Sequence, residues 1–215
     1  LKTFKKSKKI KIIYCPPNTL INLMSKKFLK TSVKVGAQNC HESMSYAPLT
    51  GSVNPSMLKS VGAKYVIIGH SENRQSGETD RLINLKVKAA IKAGLKVIFC
   101  IGETLSQKRK KITKKILSKQ IKLGLNNVQR SKNIIIAYEP VWSIGTGVIP
   151  KSSELLKTID FIKDKARNNK VLYGGSVNPK NIRELKLIRS IDGFLIGGAS
   201  QEAKKFIDII KKTYN

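Results

Sequence analysis

Short apolar runs rich in β-branched residues recur along the whole chain. Their positions are nearly all apolar instead of alternating with polar ones, which is typical of strands covered on both faces. The seven predicted strands are Lys11–Cys15, Val33–Gln38, Tyr65–Ile68, Leu95–Cys100, Asn133–Tyr138, Lys170–Tyr173 and Asp192–Ile196.

Segments with helical spacing of apolar residues separate these strands. The predicted helices are Asn18–Lys30, Pro55–Val61, Thr79–Ala93, Ser106–Gly124, Lys151–Asn168, Pro179–Arg189 and Gln201–Lys212. Because the alternation is unbroken and no linker interrupts it, we expect one parallel α/β domain over residues 1–215. A doubly wound sheet and a barrel both fit, and seven strands suit an eight-stranded barrel from which one strand is absent.

The charge of the chain is large but not informative about a partner. Lys and Arg total 42 against 13 Asp and Glu, giving a net charge of +29, which is typical of proteins that bind polyanions. However, most of these cations are lysines spread along the chain, whereas nucleic-acid recognition favours arginine. Lys, Ile and Asn are abundant together, which is typical of a genome biased toward A/T-rich codons. This bias explains the many lysines without a polyanionic partner. We therefore predict no nucleic-acid partner, although a positive field attracts small phosphorylated substrates.

The sequence shows neither a membrane span nor a metal or nucleotide site. No apolar run approaches the ~18 residues that a bilayer requires, and the basic N-terminus lacks the apolar region of a secretory signal. Cys15, Cys40 and Cys100 fit neither a disulfide framework nor a zinc site. We expect reduced thiols in a cytoplasmic protein that uses no metal and no cofactor.

Two residues suited to proton transfer stand at the ends of predicted strands. His70 follows Tyr65–Ile68, and Glu139 follows Asn133–Tyr138. In a barrel, reactive groups collect at these strand ends. A neutral imidazole can hydrogen-bond a carbonyl oxygen, and a partly desolvated carboxylate can remove a proton from the neighbouring carbon.

Seven short motifs occur in the order in which the triosephosphate isomerase family has them. They are Tyr14–Pro17, Gly36–Asn39, Ile68–Glu72, Cys100–Glu103, Tyr138–Trp142 with Ile144–Gly147, Tyr173–Val177 and Ile196–Ser200. One glycine motif is weak evidence, but seven in order over nearly the entire chain are specific. The resemblance implies a (β/α)8 TIM barrel and the glycolytic and gluconeogenic interconversion of dihydroxyacetone phosphate and glyceraldehyde 3-phosphate through an enediolate. It implies no cofactor.

The resemblance also assigns a site. It implies that Glu139 is the catalytic base and that His70, followed by the catalytic Glu72, is the electrophile and proton shuttle. The substrate phosphate is implied to be held by Gly145, Ser176, Gly197 and Gly198. A closing lid is implied to consist of Pro140, Val141, Trp142, Ser143, Ile144, Thr146 and Gly147, with Gly145 among them.

The chain departs from the family pattern before Tyr14–Pro17. The family's first strand carries an Asn-Trp-Lys motif with a catalytic Lys, whereas only a short helical stretch, Leu1–Ile10, stands there. We expect the strand to be encoded upstream. Without this strand two apolar strand edges stay unpaired, which favours aggregation. The resemblance also implies that Glu72 forms a buried ion pair with that Lys, so Glu72 would lose its partner. Loop 40–51 is implied to form a homodimer contact.

Three functions remain open at this point. The first is the isomerase, and the second is an inactive phosphate-binding barrel fragment or relic without the catalytic Lys. The third is a basic nucleic-acid-binding protein, which charge alone supports. Intact His70, Glu139 and lid residues favour the isomerase, since a relic is free to lose them.

Overall fold

The computed structural model describes residues 10–44, 47–128, 132–167 and 169–214. Apart from Ile10, the helical stretch predicted at Leu1–Ile10 lies outside these residues. The chain divides into two units by its internal contacts. The first comprises the described part of Leu1–Phe99 together with Leu123–Ile134, and the second comprises Cys100–Lys122 and Ile135–Asn215. The expectation of one domain stays a prediction.

Parallel strands form the first unit in chain order. They are β1 (Ile13–Tyr14), β2 (Lys34–Ala37), β3 (Tyr65–Ile68) and β4 (Lys96–Ile101), of which the first four residues belong to this unit. β2 pairs with β1 and β3, and β3 pairs with β4, with Val66 opposite Val97. All four residues of β3 are buried, as its apolar run predicts.

The second unit continues the same pattern. Its strands are β5 (Ile134–Tyr138), of which all but the first residue belong to this unit, β6 (Val171–Tyr173) and β7 (Gly193–Phe194). They too are parallel and ordered as in the chain, with Tyr138 opposite Tyr173 and Tyr173 opposite Phe194. The seven predicted strands and the parallel α/β class are thus confirmed, although most strands are shorter than predicted, β1 and β7 most of all.

Helices follow the strands throughout. They are α1 (Ile21–Lys27), α2 (Pro55–Ser60), α3 (Ser71–Gln75), α4 (Asp80–Lys92), α5 (Leu105–Arg109), α6 (Thr113–Gly124), α7 (Ser152–Lys165), α8 (Ile182–Leu185) and α9 (Ala203–Tyr214). Side-chain caps begin several of them: Asn54 accepts the Met57 N–H at α2, and Thr79 accepts the Leu82 N–H at α4. Among the described residues, none of these helices is long and apolar enough to cross a membrane.

The single helix predicted over Ser106–Gly124 is wrong, because the chain ends α5 and starts α6 within that range. Lys111 adopts a left-handed conformation with φ of 57°. Its N–H donates to the Lys108 carbonyl, and the Ile112 N–H donates to the Gln107 carbonyl. This is the Schellman pattern that ends helices, with Lys111 in the position that glycine usually takes.

A largely buried polar cluster lies in the first unit. The Lys86 ammonium, on α4, pairs with Glu78 and donates to the Asn39 side-chain oxygen at 3.2 Å. Asn39 in turn donates to Glu78 at 2.8 Å. Lys86 and Glu78 keep only 8 % and 12 % of their side-chain surface exposed, so neither charge is replaced cheaply.

Candidate active site

His70 stands in the first unit between β3 and α3. It is the N-cap of α3, and its Nδ1 accepts the Glu72 N–H at 3.5 Å. A nitrogen that accepts a hydrogen bond carries no proton, so in the neutral ring the proton lies on Nε2. The imidazole is thus held as a donor through Nε2.

Glu72 lies beside His70 but is not the buried carboxylate that the resemblance implies. Its carboxylate is 3.7 Å from His70 Nδ1, and 82 % of its side chain is exposed. Glu72 stands in the first turn of α3, where a carboxylate favours the helix without burial. The structure therefore brings Glu72 to His70 and leaves it in contact with solvent.

Glu139 stands in the second unit directly after β5 and is buried, with 5 % of its surface exposed. Its N–H donates to the Ile101 carbonyl at 2.8 Å, which continues the strand pairing up to the residue itself. A side chain at this point is fixed by the sheet and not by a mobile loop. The sequence prediction that a carboxylate ends this strand is confirmed, and its catalytic role stays a prediction.

Two glycines make room for Glu139. A Cβ on Gly174 would lie 2.6 Å from Glu139 Cγ, and one on Gly102 would lie 1.8 Å from the Glu139 carbonyl oxygen. Both distances are shorter than any real Cβ contact, so neither position accepts a side chain without displacing Glu139.

The predicted lid, residues 140–147, follows Glu139 and is internally bonded. Val141–Ser143 form one 3-10 turn, and Thr146 Oγ1 donates to the Trp142 carbonyl at 3.2 Å. Ser143 is fully buried, and its hydroxyl lies 3.2 Å from that of Tyr173. Gly175 permits this approach, since a Cβ there would lie 2.5 Å from Ser143 Oγ.

Glu103, the last residue of the motif Cys100–Glu103, holds the tryptophan of the predicted lid. The Trp142 indole N–H donates to Glu103 Oε1 at 2.9 Å, and the Tyr138 hydroxyl donates to Oε2 at 3.2 Å. Glu103 is 1 % exposed. Burial raises the pKa of Glu103, while the hydrogen bonds from Trp142 and Tyr138 and the charge of Lys108 act in the opposite direction. The sequence signal at Glu103 is a carboxylate two residues after the apolar strand β4, which marks its place at the strand end but not its burial.

Three of the four predicted phosphate residues, Ser176, Gly197 and Gly198, follow β6 and β7, and the fourth, Gly145, lies in the predicted lid. Tyr173 is opposite Phe194 in the sheet. Ser176 stands three residues after Tyr173, and Gly197 stands three residues after Phe194. The two segments therefore leave the sheet at the same edge. Ser176 has a left-handed φ of 46°, which is rare without glycine and common at functional turns.

The lid contacts this edge. The Gly147 N–H donates to Ser176 Oγ at 3.1 Å, and the Ser176 hydroxyl donates to the Ser143 carbonyl. Gly197 and Gly198 are exposed, and a Cβ on either would meet nothing within 4 Å, as would one on Gly145. Their backbones thus border open space that can admit an anion.

The loop predicted to form the dimer contact is described at residues 40–44 and 47–51. Cys40 at its start is buried, and the His41 N–H donates to the Val53 carbonyl at 2.9 Å. Ala47–Thr50 are all exposed. The base of the loop is therefore fixed while its described tip is accessible.

Cys15, Cys40 and Cys100 are free thiols in the structure. Burial raises the pKa of Cys15 and of Cys40 to about 12. Within the described ranges, no three His, Cys, Asp or Glu residues are grouped so that they could hold a metal ion.

Comparisons with known proteins agree on one family. The family model described as "Triosephosphate isomerase" matches residues 1–213. The triosephosphate isomerase of Trichlorobacter lovleyi is 43 % identical, over 95 % of this chain and 86 % of that one. The triosephosphate isomerase of Thermodesulfovibrio yellowstonii is also 43 % identical, over 91 % and 83 %.

A solved structure agrees with them. The crystal structure of triosephosphate isomerase from Bartonella henselae matches with a TM-score of 0.86 and 36 % identity, over 94 % of this chain and 86 % of that chain. This similarity confirms the TIM-barrel fold, of which the described residues contain seven strands. The chain therefore belongs to the triosephosphate isomerase family, whose members are aldose–ketose isomerases.

Proposed function

We propose that this chain interconverts dihydroxyacetone phosphate and glyceraldehyde 3-phosphate, with Glu139 as the base. The observation that carries the proposal is the buried carboxylate of Glu139, placed by β5 and confined by Gly174. A carbon next to a carbonyl is a weak acid, so its base must be well placed and partly desolvated. The curated relatives share the name of this activity.

In this mechanism Glu139 removes a proton from the carbon next to the substrate carbonyl. The electrons of that C–H bond form the C–C double bond of an enediolate, and negative charge develops on the carbonyl oxygen. Glu139 then returns the proton to the neighbouring carbon, which completes the isomerisation. One residue serves both steps because the two carbons are adjacent.

His70 acts on the two substrate oxygens, at the carbonyl and the neighbouring hydroxyl. Its Nδ1 is occupied by the Glu72 N–H, so Nε2–H is the group offered to a substrate oxygen. A hydrogen bond from Nε2 stabilises the developing charge, and proton transfer at the same atom moves the hydroxyl hydrogen between the two oxygens. Glu72 acts through His70, whose Nδ1 lies 3.7 Å from its carboxylate.

Backbone N–H groups hold the substrate phosphate in this proposal. Gly197 and Gly198 precede and begin a 3-10 turn, where N–H groups have no partner within the turn. Gly145 on the lid and Ser176 on the neighbouring segment complete the set. Anchoring the phosphate while the lid covers the enediolate restrains the elimination of phosphate from that intermediate.

The proposal extends to location and assembly. We propose a cytoplasmic enzyme of glycolysis and gluconeogenesis that forms a homodimer through loop 40–51. The exposed tip residues Ala47–Thr50, which include Leu49 at 40 % exposure, support a contact there. Sedimentation of the chain at micromolar concentration tests the dimer, and a Leu49→Asp variant should shift it toward the monomer.

Deuterium incorporation tests the proposed chemistry. Glyceraldehyde 3-phosphate is converted in D2O, and NMR follows the label in the dihydroxyacetone phosphate formed. The base exchanges its proton with solvent, so deuterium should appear at the carbon next to the carbonyl. Glu139→Gln should abolish the incorporation. Incorporation that survives this substitution would contradict Glu139 as the base.

A further inference from the structure

Lys108 contacts the lid and belongs to a helix that precedes the lid in sequence. It stands on α5, and its ammonium lies 3.6 Å from the centroid of the Trp142 ring. The same nitrogen is 3.1 Å from Glu154 Oε1, in the first turn of α7. The lid runs between β5 and α7, so one ammonium contacts both the lid and the helix that follows it.

We propose that Lys108 is a positioning residue for the isomerisation: it holds Trp142, and with it the lid, in the arrangement that receives the substrate. This inference rests on the proposed function and adds a residue outside the segment from Glu139 to Gly147. No sequence motif pointed to Lys108, which stands in a run of basic residues.

The indole is held on two independent sides. Glu103 accepts the indole N–H in the ring plane at 2.9 Å, while Lys108 lies over the ring face. A cation over an indole face is attracted by the ring quadrupole, and only 28 % of the Lys108 side chain is exposed. The carboxylate fixes the direction of the ring edge and the ammonium fixes the tilt of its plane.

The arrangement that Lys108 stabilises already contacts the proposed phosphate segment. The Gly147 N–H at the far end of the lid donates to Ser176 Oγ at 3.1 Å. A lid held at Trp142 and at Gly147 has little conformational freedom left to lose when substrate binds. Releasing the Trp142 end transfers that ordering cost to the substrate, which raises KM.

The sole tryptophan of the chain makes the contact directly observable. Lys108→Met keeps the aliphatic stem and removes the charge. A cation–π contact of this kind corresponds to a ~2- to 5-fold change in population. Acrylamide quenching of Trp142 fluorescence should therefore increase about 2-fold or more in Lys108→Met. Lys108→Arg should restore the wild-type value, since a guanidinium stacks on indole and pairs with carboxylates.

Lys110→Met is the matched control, because Lys110 is exposed on the same stretch and its side chain makes no described contact. It should leave quenching unchanged. Equal quenching in wild type, Lys108→Met and Lys110→Met would overturn the proposal. This readout needs no substrate, so it stands even where isomerase activity fails.

Kinetics separate positioning from simple stabilisation. For glyceraldehyde 3-phosphate, KM should rise about 2- to 5-fold in Lys108→Met with a smaller change in kcat, and Lys108→Arg should restore it. The dissociation constant of the unreactive analogue glycerol 3-phosphate should rise in parallel. A KM that stays constant or falls in Lys108→Met would overturn the proposal, since the lid arrangement that Lys108 stabilises would then not be the one that favours substrate binding.

Discussion

Gly174 and Glu139 are in such close contact that a single methyl group on Gly174 would lie 2.6 Å from Glu139 Cγ and 3.0 Å from its Oε1. Gly174 directly follows β6, and Glu139 directly follows β5. Their backbones are joined as well, since the Gly174 N–H donates to the Tyr138 carbonyl at 2.9 Å. The position of the proposed base is therefore set by the neighbouring strand.

Gly174→Ala tests this dependence without touching the carboxylate. The added methyl should push Glu139 away by a fraction of an ångström to an ångström, and kcat should fall about 10- to 100-fold. Gly193→Ala is the control, because its nearest neighbour is the flexible Leu172 Cδ2 at 3.0 Å. Steady-state assays and thermal unfolding of both variants check this. Equal kcat in the two variants would show that the contact does not position the base.

Glu103 should make stability depend on pH. Burial raises its pKa from the ordinary value of 4.5, so the folded chain binds this proton more tightly than the unfolded chain. Between the two pKa values the native state binds more protons than the unfolded state, so the contribution of Glu103 protonation to stability declines as pH rises through that interval. Below the unfolded pKa both states bind the proton, so this contribution is fully present and no longer changes with pH.

Glu103→Gln keeps an oxygen acceptor for Trp142 but does not titrate. The unfolding free energy of wild type minus that of Glu103→Gln should therefore decrease as pH is raised from about 4 to about 8. Urea denaturation of both proteins at several pH values measures it. A difference that is constant or increases with pH contradicts the raised pKa.

The Lys86–Glu78 pair should be sensitive to the loss of one partner. Lys86→Met leaves Glu78 buried without its cation and should lower the free energy of unfolding by about 3–5 kcal/mol. Lys88→Met on the same helix, where no side-chain partner is described, should change it by less than about 0.5 kcal/mol. The double variant Lys86→Met/Glu78→Gln should recover part of the loss. Similar losses for Lys86→Met and Lys88→Met would contradict the account.

The strands were predictable because strands covered on both faces leave a simple signature. Tyr65–Ile68 is apolar at every position, and all four residues are buried. The break between α5 and α6 was not predictable. It depends on Lys111 in a conformation for which glycine is the usual signal, and a basic run of helix formers gives none.

The positions of His70 and Glu139 were predictable because each stands at the end of an apolar strand, Glu139 directly after β5 and His70 separated from β3 by one residue, while their roles stay predictions. The site was less predictable where burial decides. Glu72 is exposed and Glu103 is buried, and residue type alone does not report this difference, because it depends on tertiary packing. The Lys108–Trp142 contact joins residues far apart in sequence, so only tertiary structure reveals it.

The most direct test of the central claim is steady-state turnover of glyceraldehyde 3-phosphate by the chain and by its Glu139→Gln variant, measured side by side. We predict turnover by the wild type and a loss of kcat of about 10²- to 10⁴-fold in the variant, with unchanged thermal unfolding as the check on folding. Absence of wild-type turnover, or equal kcat in the two proteins, would contradict the proposal that this chain is an isomerase with Glu139 as its base.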